Sequence, residues 1–167
     1  AEKSFEDRDN KNVFYTYSIE ATVTNTNGET QTSTTTVNIG DRSMYLTDEG
    51  IEDVLDKKNI SDIRITAFNL NSKKTDTSGT FEIYRLDIKD KNKWEEDPEN
   101  WTLSKVALSG NFKSGETIDK TKIASLPSGR YRLIAKAKDP QNRETEMQVD
   151  FNLASPEDKQ PPVPTYK

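Results

Sequence analysis

An all-β antiparallel sandwich is the fold expected of this sequence, on three grounds. Apolar and polar residues alternate over several stretches, and a period of two puts every second side chain on one face of a strand. Asn27-Gly28, Ser128-Gly129 and Asp139-Pro140 fall between these stretches, where turns need them. One hairpin is also written twice. Tyr17, Ile19, Ala21 and Val23 lead into the turn Asn25–Glu29 and return through Ser33, Thr35, Val37 and Ile39. Tyr131, Leu133, Ala135 and Ala137 lead into Asp139–Arg143 and return through Met147, Val149, Phe151 and Leu153, at a constant offset of 114 without a gap. A period of that length is the size of one sandwich domain.

Taken in order, residues 1–12 are charged and apolar-poor and read as a loose lead-in. Tyr15 to Val23 is a half-buried strand with its apolar residues at odd positions. Gly28 supplies the positive φ of a tight turn, and Ser33 to Ile39 returns. The inward positions nearest the turn, Ser33 and Thr35, are small and polar, so that end of the hairpin is expected to be wet. Gly40-Asp41 breaks the pattern, and Met44-Tyr45-Leu46 opens a second unit. Ile51, Val54 and Leu55 have the spacing of one helical turn, with a buried loop as the alternative. Ile63, Ile65 and Ala67 form the next strand. Phe81 and Ile83 share one parity and Tyr84, Leu86 and Ile88 the other, a phase switch that predicts a β-bulge. Residues 89–101 form a charged loop carrying Trp94 and Trp101. Val106, Leu108 and Phe112 give a shorter strand or edge, and 118–123 is ambiguous. In Leu126-Pro-Ser-Gly129-Arg-Tyr131, Gly129 is expected to reverse the chain and the Tyr131 hydroxyl to bond back upstream, as in a tyrosine corner. Tyr17 holds the matching place in the first copy without the Ser-Gly. Pro156, Pro161, Pro162 and Pro164 mark an extended linker. The expected organisation is therefore 1–40 as the last hairpin of a preceding, truncated sandwich, 41–155 as a complete one, and 156–167 as a linker.

Composition narrows the function. Hydrophobic residues make up 31% of the chain and charged residues 32%, which points to a thin two-layer core. Basic residues are scattered and the net charge is −5, which argues against a nucleic-acid partner. No apolar run is long enough for direct membrane insertion. The 167 residues include no His and no Cys, so Ser-His-Asp and Cys-His nucleophiles, His or thiolate metal sites and disulfides are excluded. Gly-x-Gly, Gly-Lys-Ser/Thr and Ser-x-x-Lys are absent, and no cofactor is expected.

Glu95, Glu96 and Asp97 could serve as an acid–base pair for glycoside cleavage or hold Ca²⁺. Charge runs are usually solvated surface, and no Asp-x-Asp-x-Asp-Gly loop is present, so neither use is adopted. Trp94 and Trp101 could form a flat platform for a sugar ring or a protein partner. Against that, a core this lean gains from folding a large aromatic back over its open end. Asn59 and Asn100 begin glycosylation sequons by spelling alone.

Four phrases, in this order, resemble the macroglobulin-like domains of bacterial α2-macroglobulin-type proteins, the large Bacteroidetes versions in particular. They are Tyr17 to Thr30; Ile65 to Asn71 followed by Gly79 to Leu86; Trp94 with Asp97-Pro98; and Leu126 to Asp139. The resemblance covers roughly residues 13–160. It implies an immunoglobulin/fibronectin-like, macroglobulin-like sandwich in a long chain of seven-stranded domains, many of which trap proteases after a bait segment is cut. It also implies a periplasmic or cell-envelope location. In many members a Cys-x-x-Gln thioester then captures the attacker. This chain has no cysteine and no long unpatterned insert, so the resemblance leaves it a non-catalytic, architectural role. Its partners would be neighbouring domains of the parent chain and, through the full-length protein, proteases. The alternative is a carbohydrate-binding or adhesin module using Trp94 and Trp101.

A two-stranded hairpin alone is marginal in water. The apolar face of residues 13–40 is therefore expected to pack on the second unit, or to add to a sheet edge of a neighbouring copy and give a dimer.

Overall fold

The structure, a computed structural model, describes residues 14–40, 42–90 and 100–158. Strands β1 (Phe14–Thr24) and β2 (Thr30–Gly40) form a two-stranded sheet of their own. The body follows as β3 (Met44–Glu49), β4 (Val54–Asp56), β5 (Ile63–Asn69), β6 (Lys74–Thr75), β7 (Ser78–Ile88), β8 (Trp101–Lys113), β9 (Thr117–Ile118), helix α1 (Lys120–Ala124), β10 (Gly129–Lys138) and β11 (Glu144–Ala154). Its two sheets run β4-β11-β10-β7-β8 and β3-β5-β6, with β9 also pairing β5. The pairings are antiparallel apart from β4 on β11. The described residues thus form an almost wholly β, antiparallel-rich sandwich.

Alternation drives the layering. Ile63, Ile65 and Ala67 of β5 turn inward and meet Leu133 and Ala135 of β10 and Leu153 of β11, all fully buried. Tyr131 is also fully buried and stacks on Phe151 at 5.7 Å between ring centroids. Its hydroxyl donates to the Pro127 carbonyl, four residues upstream, at 2.6 Å, which closes the tyrosine corner. The phase switch in β7 is present as register shifts against β8 on either side of Tyr84.

The two written copies of the hairpin fold identically at the backbone level. Tyr17 stands opposite Val37 as Tyr131 stands opposite Phe151, and Ile19 opposite Thr35 as Leu133 opposite Val149. Every pair of one ladder maps onto the other by the same offset. The turns match as well. Asn25 N–H donates to the Glu29 carbonyl and Gly28 N–H to the Asn25 carbonyl; Asp139 N–H donates to the Arg143 carbonyl and Asn142 N–H to the Asp139 carbonyl. In each turn the first side chain, through Oδ1, accepts from the backbone two and four residues on. Gly28 (φ 83°) and Asn142 (φ 62°) take the left-handed position that such a three-residue loop requires. A third turn, Asn69–Lys73, repeats the pattern, with Ser72 at φ 59°.

Several expectations are corrected. Residues 51–55 form neither a helical turn nor a loop alone. Leu55 turns inward, Val54 stays exposed, and the backbone of 54–56 pairs in parallel with β11, because a free sheet edge offers those amides partners. The ambiguous stretch 118–123 resolves into β9 and α1, whose N-cap is Asp119 accepting from Thr121 N–H. The stretch around Val106 belongs to a 13-residue edge strand. Gly129 does not reverse the chain. It lies in β10 opposite Leu153, and its missing Cβ leaves room for the Arg85 guanidinium, whose Nη2 would lie 3.2 Å from such an atom.

Tyr15 and Tyr17 are partly buried, but the aliphatic part of the first hairpin's apolar face is not packed on the body. Ile19, Val23, Val37 and Ile39 are 51%, 69%, 39% and 48% exposed. The body already buries its own copy of the hairpin, so no apolar sheet remains for the first.

Tyr131→Phe is expected to lower stability to urea by about 1 kcal/mol, the net worth of one buried hydrogen bond. An unchanged midpoint would remove the hydroxyl from the account of the corner.

Candidate functional site

Two places gather polar chemistry: the junction between hairpin and body, and the neck of the β7–β8 loop. At the junction β2 ends at Gly40 and β3 begins at Met44. Ser43 donates its backbone N–H (3.1 Å) and its hydroxyl (3.0 Å) to Oδ2 of Asp139, at the head of the β10–β11 turn. Arg143 Nε donates to the same oxygen at 2.9 Å, while Oδ1 accepts from the Gln141 and Arg143 amides. The Asp139 side chain is fully buried. Burial alone would push its carboxyl up, but the hydrogen bonds from Arg143 and Ser43 outweigh it and hold the group well below the usual carboxylate range. On the other side of the connector, Asn38 Nδ2 donates to the Leu70 carbonyl at 2.6 Å, in the Asn69–Lys73 turn. Two of the body's three-residue loops therefore grip the base of the hairpin. The sequence signalled the turn at 139 but not its second task, because Ser43 is 96 residues away.

The loop neck is closed by Asn100. Its Nδ2 donates to the Asp90 carbonyl at 2.9 Å and its Oδ1 accepts from Asp90 N–H at 3.0 Å. Asn100 is buried, so the amide that the sequon spelling marks is already engaged in the fold; Asn59 is exposed. Trp101 follows at the start of β8. It is only 8% exposed, and Arg130 stacks on its ring at 4.8 Å from the centroid. A flat, open indole platform is therefore not what Trp101 presents; its face is covered by the guanidinium. It lies apart from the main core cluster. Trp94, Glu95, Glu96 and Asp97 lie outside the described residues.

Of the remaining sequence-derived positions, Gly28 caps its turn at the tip of the first hairpin. Tyr17 keeps the ladder position of Tyr131 but is only partly buried. An open cleft beside β8 is lined by Phe81, Leu108, Phe112 and Ile118. The carboxylates at its rim are engaged: Asp119 caps α1, and Glu116 lies 3.7 Å from Lys113. No convergent acid and base pair forms there. Among the described residues no group of three or more Asp or Glu side chains could hold a metal ion, and no helix is long and apolar enough to cross a membrane.

No family model matches the chain, and no curated protein matches its sequence.

Two outcomes test these sites. Trp101→Ala is expected to cost about 3 kcal/mol in urea unfolding, as loss of a buried indole does. A fully stable variant would show that the ring is dispensable to the fold. The depressed Asp139 carboxyl stabilises the fold at any pH above its ordinary value of 3.8, and that contribution is lost as acid protonates it below. The stability gap between the wild type and Asp139→Asn is therefore expected to be widest above about pH 5 and to narrow toward pH 2, read from urea midpoints across pH. A constant gap would contradict this role of the Asp139 carboxylate.

Proposed function

We propose that this chain is a non-catalytic structural stretch of a large bacterial α2-macroglobulin-like envelope protein that traps proteases. In this reading 41–155 is a macroglobulin-like, immunoglobulin/fibronectin-like sandwich, 1–40 ends with the last hairpin of the preceding domain, and 156–167 is a linker. The observation that carries it is the repeated hairpin, with the same register and the same turn hydrogen bonds in both copies. A chain with two successive copies of a domain's closing ribbon is built as an array.

Two further features support the finer fold. Strands β3, β5 and β9 lie in one sheet and β7, β10 and β11 in the other, as an immunoglobulin-like fold would require, and the Tyr131 corner sits at the start of the penultimate strand. The four phrases quoted above point to the family. The covered face of Trp101 weighs against the carbohydrate-binding alternative.

The test is made on the parent protein. It is expected to carry further units at a spacing near 114 residues, and to change its small-angle scattering profile when a protease cuts it, with the protease retained in the same gel-filtration peak. A parent without further units, or one that is cut without retaining the protease, would overturn the reading.

A further inference from the structure

The first hairpin differs from the second in charge and in exposure. Its two strands carry a single charged side chain, Glu20. The outward face of β10–β11 carries Arg130, Arg132, Lys136, Glu144, Glu146 and Asp150, paired among themselves. Exposed sheet edges are normally protected by charge, proline or bulges. The first hairpin has no proline and no bulge, and Glu20 is its one strand charge. Its ladder is unbroken from Phe14 to Thr24, and its inner face shows Ile19, Val23, Val37 and Ile39 to solvent.

We infer that this face and the β1 edge are a docking surface for the remaining strands of a second sandwich, carried by the polypeptide that precedes residue 1 in the parent protein. The inference rests on the array reading above and adds the geometry of the partner. The second copy defines that geometry. Residues 131–137 pair antiparallel with 79–85, and 152–154 pair in parallel with 54–56. Shifted by the repeat, the partner lays an antiparallel strand along residues 17–23 and a short parallel one along 38–40. Over the face it sets an aliphatic sheet, as Ile63, Ile65 and Ala67 do over Leu133 and Leu153. The side chains agree in kind at the paired positions: Tyr17 with Tyr131, Ile19 with Leu133, Ala21 with Ala135 and Ile39 with Leu153. They differ at Ser33 and Thr35, where the second copy has Met147 and Val149, so the partner is more polar near the turn. A second copy of this chain is a poorer occupant: its body sheet is already filled by β10 and β11, and its own two-stranded hairpin cannot supply both the edge strands and the covering sheet.

Hydrogen–deuterium exchange at the amides of 17–23 tests the inference, comparing the 167-residue chain with the parent protein. The parent is expected to slow these amides by about a hundredfold or more, toward the rates of 131–137. Ile19→Asp should abolish that gain and leave 131–137 unchanged in both proteins. Equal rates in chain and parent would overturn the inference, as would a parent with no sandwich upstream. Protection in the 167-residue chain that rises with concentration alongside a dimer would assign the face to a second copy instead. A parent that protects 17–23 but retains no protease keeps this inference and removes only the trapping role.

Discussion

A strand shifted by one residue turns every side chain to the opposite face, so a sandwich exists only if its ladders are held in register. Here one turn chemistry does that three times. A leading Asn or Asp accepts from two backbone amides, and a residue in the left-handed region closes the loop at Gly28, Ser72 and Asn142. With the turn fixed, Tyr131, Leu133, Ala135 and Leu153 fall on the inner face, and the core follows from their alternation. Glycine occupies the strained position at one turn only. At the other two the local side-chain hydrogen bonds help hold Ser72 and Asn142 where a Cβ is disfavoured.

Much of this architecture could be read from the residues, and the reason is local. Period-two alternation and turn residues act over a few positions, so the hairpins, β5, β7 and the bulge near Tyr84 were visible in the sequence, while the 13-residue β8 read short. Short elements were not. Residues 54–56 form a strand only because β11 offers an unpaired edge, and five-residue α1 depends on Asp119 and on burying Ile123. Gly129 was misjudged for a similar reason: its smallness serves Arg85, a neighbour across the sheet, instead of a local reversal. Long-range polar contacts carry no periodic signal. The Ser43–Asp139 bonds join residues nearly a hundred positions apart, and the Arg130 stack on Trp101 depends on a strand order that no window of sequence contains.

The two hairpins also separate what a fold needs from what a surface needs. Their backbones match in register and turn, yet one is buried inside and richly charged outside while the other carries the single charge of Glu20 and leaves its aliphatic side chains exposed. Ladder hydrogen bonds fix the shape in both. The side chains record what each ribbon meets: the first ribbon draws its polarity from uncharged Thr, Ser, Gln and Asn, the second from paired charges.

The grip on the connector has a mechanical consequence. Backbone tension running from β2 into β3 passes through Ser43 before it reaches the sheets. Part of that load is diverted into the Asp139 loop, and a lateral tilt of the hairpin strains the Asn38 bond to Leu70. Anchored at two loops of the body, the ribbon behaves less like a bead on a string than like a beam clamped at its root, so bending of the hairpin is passed on to the body.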